Sequence, residues 1–80
     1  MLKIALSGEA RRQLRGLPEH VQVAVRDKLE RYAATGAGDV KAMSGLPGLR
    51  LRCGDYRILF DKAGGQIRVR AIAHRSKIYS

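Results

Sequence analysis

The spacing of hydrophobic residues predicts that the chain begins with a strand followed by a helix. Leu2, Ile4 and Leu6 are separated by single residues, which is the period of a half-buried β-strand. Ser7 then offers a side-chain oxygen that can cap the first turn of a helix. Apolar residues recur at helical spacing after Ser7, and Gly16 lies where this first helix is expected to end.

A second, longer helix is predicted between Pro18 and Gly36. Proline is tolerated in the first turn of a helix, where its missing N–H group has no intrahelical partner. The hydrophobic residues that follow keep to one helical face: Val21, Ala24, Val25, Leu29, Tyr32 and Ala33. Residues 36–48 contain four glycines and one proline, so we expect a long connection there.

From residue 49 onward the hydrophobic period changes to two, which predicts three strands at residues 49–53, 56–61 and 67–74. Gly54-Asp55 and Ala63-Gly64-Gly65 supply the turns between them. The element order is then β-α-α-β-β-β in a single domain over residues 1–80. We predict an α+β fold in which the two N-terminal helices pack on one face of a mainly antiparallel four-stranded sheet and leave its other face free.

Composition narrows the function more than it narrows the fold. The chain has 80 residues, with 16 Lys and Arg against seven Asp and Glu and a net charge of +9. One cysteine cannot form a disulfide within the chain, and His20 and His74 lack zinc-site spacing, so we predict no metal and no other cofactor. We find no signal-peptide core and no apolar stretch of membrane-spanning length, which predicts a cytoplasmic protein with no membrane partner.

The basic residues are most in excess in the strand-rich part of the chain. Residues 48–80 carry eight of the 16 basic side chains and only two acidic ones. Strand alternation predicts Arg50 and Arg52 on one face of their strand, and Arg68, Arg70 and His74 on one face of theirs. With the helices on the opposite face, these side chains form a concave basic surface that suits nucleic acid. The alternative is an ordinary solvated face without a specific ligand.

A cluster of seven residues could support cleavage of RNA without a metal ion. Its members are Arg50, Arg52, Arg57, His74, Arg75, Lys77 and Tyr79. The 2′-hydroxyl of RNA attacks the adjacent phosphodiester when a base, cations and an acid are supplied. Histidine exchanges protons near neutral pH, which makes His74 a candidate acid or base, whereas Arg50 and Arg57 suit charge stabilisation. Tyr79 could stack on a base or donate a proton. In the plainer alternative, Tyr79 seals the sheet edge and His74 forms surface hydrogen bonds.

Three sequence motifs lie in the same part of the chain. LPGLRLR occupies residues 46–52, GDYRILF occupies residues 54–60, and IAHR at residues 72–75 is followed by IY at residues 78–79. Together with the leading strand and helical hairpin, these motifs resemble the RelE branch of the RelE/ParE toxin superfamily, the toxin half of bacterial toxin–antitoxin pairs. The resemblance implies a microbial ribonuclease-like fold and a metal-independent endoribonuclease that enters the ribosomal A site, cuts mRNA and inhibits translation. It also implies a hetero-oligomer with a cognate antitoxin, whose acidic or amphipathic segment wraps the toxin.

The resemblance also implies roles for individual residues. Arg57 matches the arginine that contacts the scissile phosphate, and Tyr79 matches the C-terminal tyrosine that stacks on a substrate base. Arg50 matches a basic residue of the preceding strand, and Arg75 matches the basic position ahead of the terminal tyrosine. We therefore expect Arg57, His74, Arg75 and Tyr79 to be catalytic, and RNA phosphates to be bound by Arg50, Arg52, Arg68, Arg70 and Lys77.

The sequence departs from the family pattern at some positions. A second strand lysine of the family falls at Gly48, which removes one cation, and we expect Arg52 to compensate. His74 lies where other branches use a histidine, which favours general acid–base chemistry. Two alternatives remain open: a ParE-like inhibitor of DNA gyrase, which shares the fold, and a catalytically silent binding module. The retained catalytic residues favour the RelE branch.

Overall fold

The computed structural model describes residues 1–43, 45 and 47–78, and it has the predicted α+β architecture. In chain order the elements are β1 (Lys3–Leu6), α1 (Gly8–Arg15), α2 (Glu19–Thr35), β2 (Val40–Ala42), β3 (Leu49–Cys53), β4 (Tyr56–Ala63), β5 (Gln66–His74) and α3 (Arg75–Ile78). The two N-terminal helices and the four predicted strands are confirmed. The prediction of only four strands is wrong, because the described residues form a five-stranded sheet in the order β1-β5-β4-β3-β2.

The additional strand, β2, lies within residues 36–48, where we predicted only a connection. It pairs antiparallel with β3, with Val40 opposite Leu51 and Ala42 opposite Leu49. A strand of three residues is too short to show a hydrophobic period, so its sequence gives no strand signal. Gly38 allows the backbone ahead of β2 to pass close to β3, because a Cβ atom at this residue would lie only 3.0 Å from the Cδ1 atom of Leu51.

The sheet is mainly antiparallel, as predicted, with one parallel pair. β1 runs parallel to β5, while the β2–β3, β3–β4 and β4–β5 pairs are antiparallel. A parallel neighbour needs a long crossover connection, and the two helices between β1 and the later strands provide it. The crossover places α1 and α2 on the same side of the sheet, so one face is covered and the opposite face stays open.

A β-bulge between β4 and β5 changes which side chains face the helices. Phe60 is opposite Val69 but Leu59 is opposite Ala71, so Arg70 is the extra residue on β5. Two consecutive β5 residues, Arg70 and Ala71, therefore point to the open face. Beyond the bulge the alternation is reversed, and Ile72 lies in the core with only 2% of its surface exposed. Uninterrupted alternation along β5 would instead place Ile72 on the same face as Arg68 and Arg70.

The hydrophobic core fills the space between the helices and the covered sheet face. Its buried members are Ala10, Leu14, Val25, Leu29, Tyr32, Ala33, Leu51, Cys53, Ile58, Phe60, Ile67, Val69 and Ile72. Phe60 has no exposed surface, and its ring meets the Tyr32 ring edge-on, with centroids 5.3 Å apart. The Lys62 ammonium lies 5.3 Å from the centre of the Tyr32 ring, which closes one edge of the core with a cation–π contact.

Replacing Ser7 by alanine is expected to lower the free energy of unfolding by about 1–2 kcal/mol. The Ser7 Oγ accepts a hydrogen bond from the Ala10 N–H group at 3.0 Å and donates one to the Arg70 carbonyl oxygen at 2.9 Å. The predicted N-cap thus also ties α1 to the bulge in β5. Urea unfolding measures the effect, and the comparison variant is Ser76→Ala, which removes an exposed hydroxyl next to the His74 Nδ1 atom. Equal destabilisation by the two changes would contradict the role of the cap.

Candidate nucleic-acid interface

The open face of the sheet carries a small cleft lined almost entirely by charged side chains. It measures about 100 Å³, and its lining residues are Asp39, Lys41, Arg50, Arg52 and Arg57. The strand register explains the convergence, because Lys41 is opposite Arg50 and Arg52 is opposite Arg57. Four cations therefore surround a single carboxylate. The predicted grouping of Arg50 and Arg52 is confirmed, and Arg57 joins them from the neighbouring strand.

Two hydrogen bonds to backbone carbonyl groups hold Arg57 in place. Its Nη1 atom donates to the carbonyl oxygens of Gly54 and Tyr56, both at 2.9 Å, so the guanidinium is fixed against the β3–β4 turn. Like charges directly opposite each other destabilise an antiparallel pair, and Arg52 and Arg57 are such a pair. A phosphate bound between them would remove this repulsion and accept hydrogen bonds from both guanidinium groups.

Arg70 reaches the open face from β5 and crosses β4 toward the start of β3. Its Nε atom lies 3.2 Å from the Asp61 Oδ2 atom, and its Nη2 atom donates to the Pro47 carbonyl oxygen at 3.0 Å. Gly48, with a φ of +105°, lies beneath the guanidinium, and a Cβ atom at this position would collide with Arg70 Nη2. We expected Arg52 to compensate for the cation that is missing at Gly48. In the structure, the guanidinium next to Gly48 is that of Arg70. Arg68 also lies on the open face and is exposed.

His74 lies on the helix-covered side of the sheet, so its predicted grouping with Arg68 and Arg70 is wrong. The bulge reverses the alternation before residue 74 and places His74 opposite Tyr56, with the two rings edge-on at 5.5 Å. The His74 Nδ1 atom accepts a hydrogen bond from the Ser76 N–H group at 3.2 Å and lies 2.9 Å from the Ser76 Oγ atom. Neutral His74 in this arrangement carries its proton on Nε2, and the sheet separates the ring from the cleft.

The remaining predicted site residues belong to α3 or follow it. The Arg75 Nε atom is 3.7 Å from the Asp55 Oδ1 atom, and the Arg75 N–H group donates to the Asp55 carbonyl oxygen at 2.8 Å. Arg75 and Arg57 therefore hold the same β3–β4 turn. Lys77 borders a depression that it shares with His74, on the helix side. Tyr79 lies outside the described residues, and its role stays a prediction.

Potential metal ligands do not cluster among the described residues, and the thiol of Cys53 is buried. No three His, Cys, Asp or Glu side chains among them are close enough to hold a metal ion. Cys53 is buried, as predicted, and burial raises the pKa of its thiol, although the Lys28 ammonium acts in the opposite direction. None of the helices that the structure describes is long and apolar enough to cross a membrane.

Sequence comparison identifies the family of this chain. A family model described as the ParE toxin of the type II toxin–antitoxin system parDE matches residues 4–79. The chain belongs to this toxin family. It is therefore a toxin of a type II toxin–antitoxin system and a member of the RelE/ParE superfamily, as the motifs predicted. No curated protein matches the ParE-family chain at a significant level of sequence similarity.

Solved structures show the same fold, among them two toxin–antitoxin complexes and the dimer of a protein named YoeB. The RelB–RelE antitoxin–toxin complex from Methanococcus jannaschii matches with a TM-score of 0.77 at 24% identity, over 94% of this chain and 94% of that one. The RelBE2 toxin–antitoxin complex from Mycobacterium tuberculosis matches with a TM-score of 0.71 at 22% identity, over 92% and 98% of the two chains. The YoeB dimer from Staphylococcus aureus matches with a TM-score of 0.75 at 17% identity, over 91% and 95%. Because these identities are below 25%, the similarity shows a shared fold only. The molecular target of this ParE-family chain has to be inferred from its own residues.

Proposed function

We propose that the chain is a metal-independent endoribonuclease that cleaves mRNA in the ribosomal A site and thereby inhibits translation. The observation that supports this proposal most strongly is the convergence of Arg50, Arg52 and Arg57 on the uncovered face of the sheet. Guanidinium groups bind phosphate oxygens through paired hydrogen bonds, which makes a cleft of this composition suited to a phosphodiester.

The cleft contains cations and a carboxylate, which are two of the kinds of group that RNA cleavage without a metal ion needs. The 2′-hydroxyl gives up its proton as the 2′-oxygen forms a new bond to phosphorus. The bond between phosphorus and the 5′-oxygen breaks, and the 5′-oxygen takes up a proton from water, which leaves a 2′,3′-cyclic phosphate and a 5′-hydroxyl end. Arg57 and its neighbours stabilise the negative charge that builds up on the phosphate oxygens. Asp39 is the carboxylate within the cleft that can accept a hydrogen bond from the attacking hydroxyl. Because the sheet separates His74 from the cleft, we propose that His74 and Arg75 bind RNA that extends beyond the cleft over the carboxyl end of β5.

We further propose that the chain forms a hetero-oligomer with a cognate antitoxin in the cytoplasm, where ribosomes and mRNA are found. The M. jannaschii and M. tuberculosis structures are complexes of toxin and antitoxin. A toxin with a net charge of +9 has an electrostatic reason to bind an acidic segment. Such a segment would neutralise the same cations that bind the RNA.

Inhibition of DNA gyrase is the second candidate function, and the family match is the observation that favours it. The matching family model is that of the ParE toxin. In this alternative the chain would act by binding a protein, and no RNA would be cleaved in the cleft. A catalytically silent module is the third possibility.

A map of mRNA ends after induction of the chain in growing cells separates these functions. We expect growth arrest and new 5′ ends within translated codons, with chromosomal and plasmid DNA intact. Intact mRNA together with linearised DNA and an SOS response would replace this proposal by gyrase inhibition. Continued growth with intact mRNA, at an expression level verified by immunoblot, would indicate a silent module.

A further inference from the structure

Within the described part of the chain, the last residues of β5 pair with β4 but not with β1. The pairing with β1 ends where Leu6 is opposite Val69, whereas β5 continues to His74. Helix α1 takes the place of a strand there, because the Ile72 N–H group donates to the Gln13 Oε1 atom at 2.7 Å. Gln13 therefore ties α1 to the part of β5 that β1 does not reach.

This tie lies directly after the bulge in β5. Arg70 is the extra residue of the bulge and comes two positions before Ile72. A bulge bends its strand and interrupts the ladder locally, so pairing with β4 alone fixes the direction of the continuing strand less well. The Gln13 amide oxygen fixes this direction from the side of α1. It joins residues that are 59 positions apart in the sequence, so only the folded chain brings them together.

Arg75 follows this segment and is held from the opposite side. Its N–H group donates to the Asp55 carbonyl oxygen at 2.8 Å, and its Nε atom lies 3.7 Å from the Asp55 Oδ1 atom. The carboxyl end of β5 is therefore held by Gln13 on one side and by the β3–β4 turn on the other. The Arg75 side chain is still 61% exposed, so its guanidinium is accessible to an RNA phosphate.

The hydrogen bond of Gln13 does more than satisfy a backbone N–H group. Gln13 and Ile72 both border a surface depression of about 360 Å³, where water could also accept from that N–H group. Holding the strand in one direction requires an acceptor that is itself fixed. Gln13 meets this requirement, because α1 is anchored in the core by the buried side chains of Ala10 and Leu14.

We propose that Gln13 is a positioning residue, and that it holds the carboxyl end of β5 so that Arg75 meets the RNA beyond the cleft. This inference rests on the proposed function, in which Arg75 binds that RNA. It adds a residue of α1 that does not touch the RNA. Gln13 carries no charge, so its effect on RNA binding depends on Arg75.

The test is a double-mutant cycle on the cleavage of ribosome-bound mRNA by the full chain. Arg75→Gln is expected to raise KM about tenfold, because it removes a charge-assisted contact. Gln13→Leu keeps a side chain of similar size without an acceptor and is expected to raise KM about fivefold, with kcat within about twofold of the parent. In the Arg75→Gln background, Gln13→Leu should change KM by less than about twofold, since the contact that it positions is already absent.

Two further variants distinguish positioning from general stability. Gln13→Glu keeps an acceptor oxygen for the Ile72 N–H group and should have a lower KM than Gln13→Leu. Gln22→Leu removes a different hydrogen bond from glutamine to the backbone, in which Gln22 Nε2 donates to the Leu17 carbonyl oxygen at 2.8 Å. It should lower the unfolding temperature but leave KM at the value of the parent. Gln13→Asn, whose side chain is too short for this bond, replaces Gln13→Leu if thermal unfolding shows that the leucine variant is not folded.

The outcomes separate this inference from the function on which it rests. A parent chain that does not cleave the mRNA would overturn the proposed function itself. If the parent cleaves and Gln13→Leu has the KM of Gln22→Leu, only the role of Gln13 is overturned. The same holds if Arg75→Gln has the KM of the parent, or if Gln13→Leu raises KM equally with and without Arg75. A fall in kcat at unchanged KM would show that Gln13 acts on the cleft and not on Arg75.

Discussion

Replacing Arg57 by alanine is expected to lower the rate of mRNA cleavage about 100- to 1000-fold, which is the usual cost of removing one donor that stabilises charge in a transition state. Arg57 lies in the cleft beside Arg50 and Arg52, and its Nη1 atom is fixed by the carbonyl oxygens of Gly54 and Tyr56. A group held in advance loses little further freedom during the reaction, so its removal affects the transition state directly.

Cleavage of ribosome-bound mRNA by the purified chain measures this effect, and the growth of induced cells gives a second readout. Arg31→Ala removes the same charge from the exposed surface of α2 and should leave the rate unchanged. Arg57→Lys keeps the charge but loses the planar fork, and we expect an intermediate rate. A cleavage rate of Arg57→Ala within a few-fold of the parent would show that the cleft does not contain the reacting phosphate.

Replacing Phe60 by alanine is expected to lower the free energy of unfolding by about 3–5 kcal/mol. Phe60 is completely buried on β4, directly beside the bulge, and its ring packs edge-on against Tyr32. A domain of this length has a total stability of only about 4–12 kcal/mol, so this one change removes a large part of it. The loss includes both the transfer of the ring from water and the cavity that remains.

Urea or thermal unfolding followed by circular dichroism measures this loss. Phe60→Leu is the matched control, because it keeps most of the apolar volume, and it should cost considerably less. Lys62→Ala removes only the cation–π contact with Tyr32 and should have a still smaller effect. A Phe60→Ala variant as stable as Phe60→Leu would contradict the placement of this ring at the centre of the core.

Much of the fold follows from local patterns in the sequence. The Ser7 cap and the glycine at residue 36 define the limits of the two helices, since a helix terminus depends on groups within one turn of it. The strands β3 and β4 follow from uninterrupted alternation, and so does the shared face of Arg50 and Arg52. The turn glycines separate these elements, and the motifs identified the superfamily to which the chain belongs.

The candidate site could be predicted only in part, because part of it depends on the pairing of β2 with β3 and on the bulge in β5. The three residues of β2 form a strand only because β3 offers a free edge, and this pairing brings Asp39 and Lys41 to the cleft. Neither residue was among our candidates. The only sequence feature that points to them is their position between the glycines of the predicted connection and the first strand with basic residues.

The helices, most of the strands, the excess of positive charge and the superfamily follow from the amino-acid sequence without knowledge of the fold. The helices and strands depend on residues a few positions apart in the sequence, and the charge and the motifs can be read directly from it. The faces of the residues beyond the bulge depend on how the strands pair in the folded chain. That pairing places His74 on the helix side and the guanidinium of Arg70 above Gly48. One extra residue in β5 reverses the face of every later side chain on that strand. Whether this bulge forms depends on the register with β4, so the sequence pattern along β5 alone does not predict it.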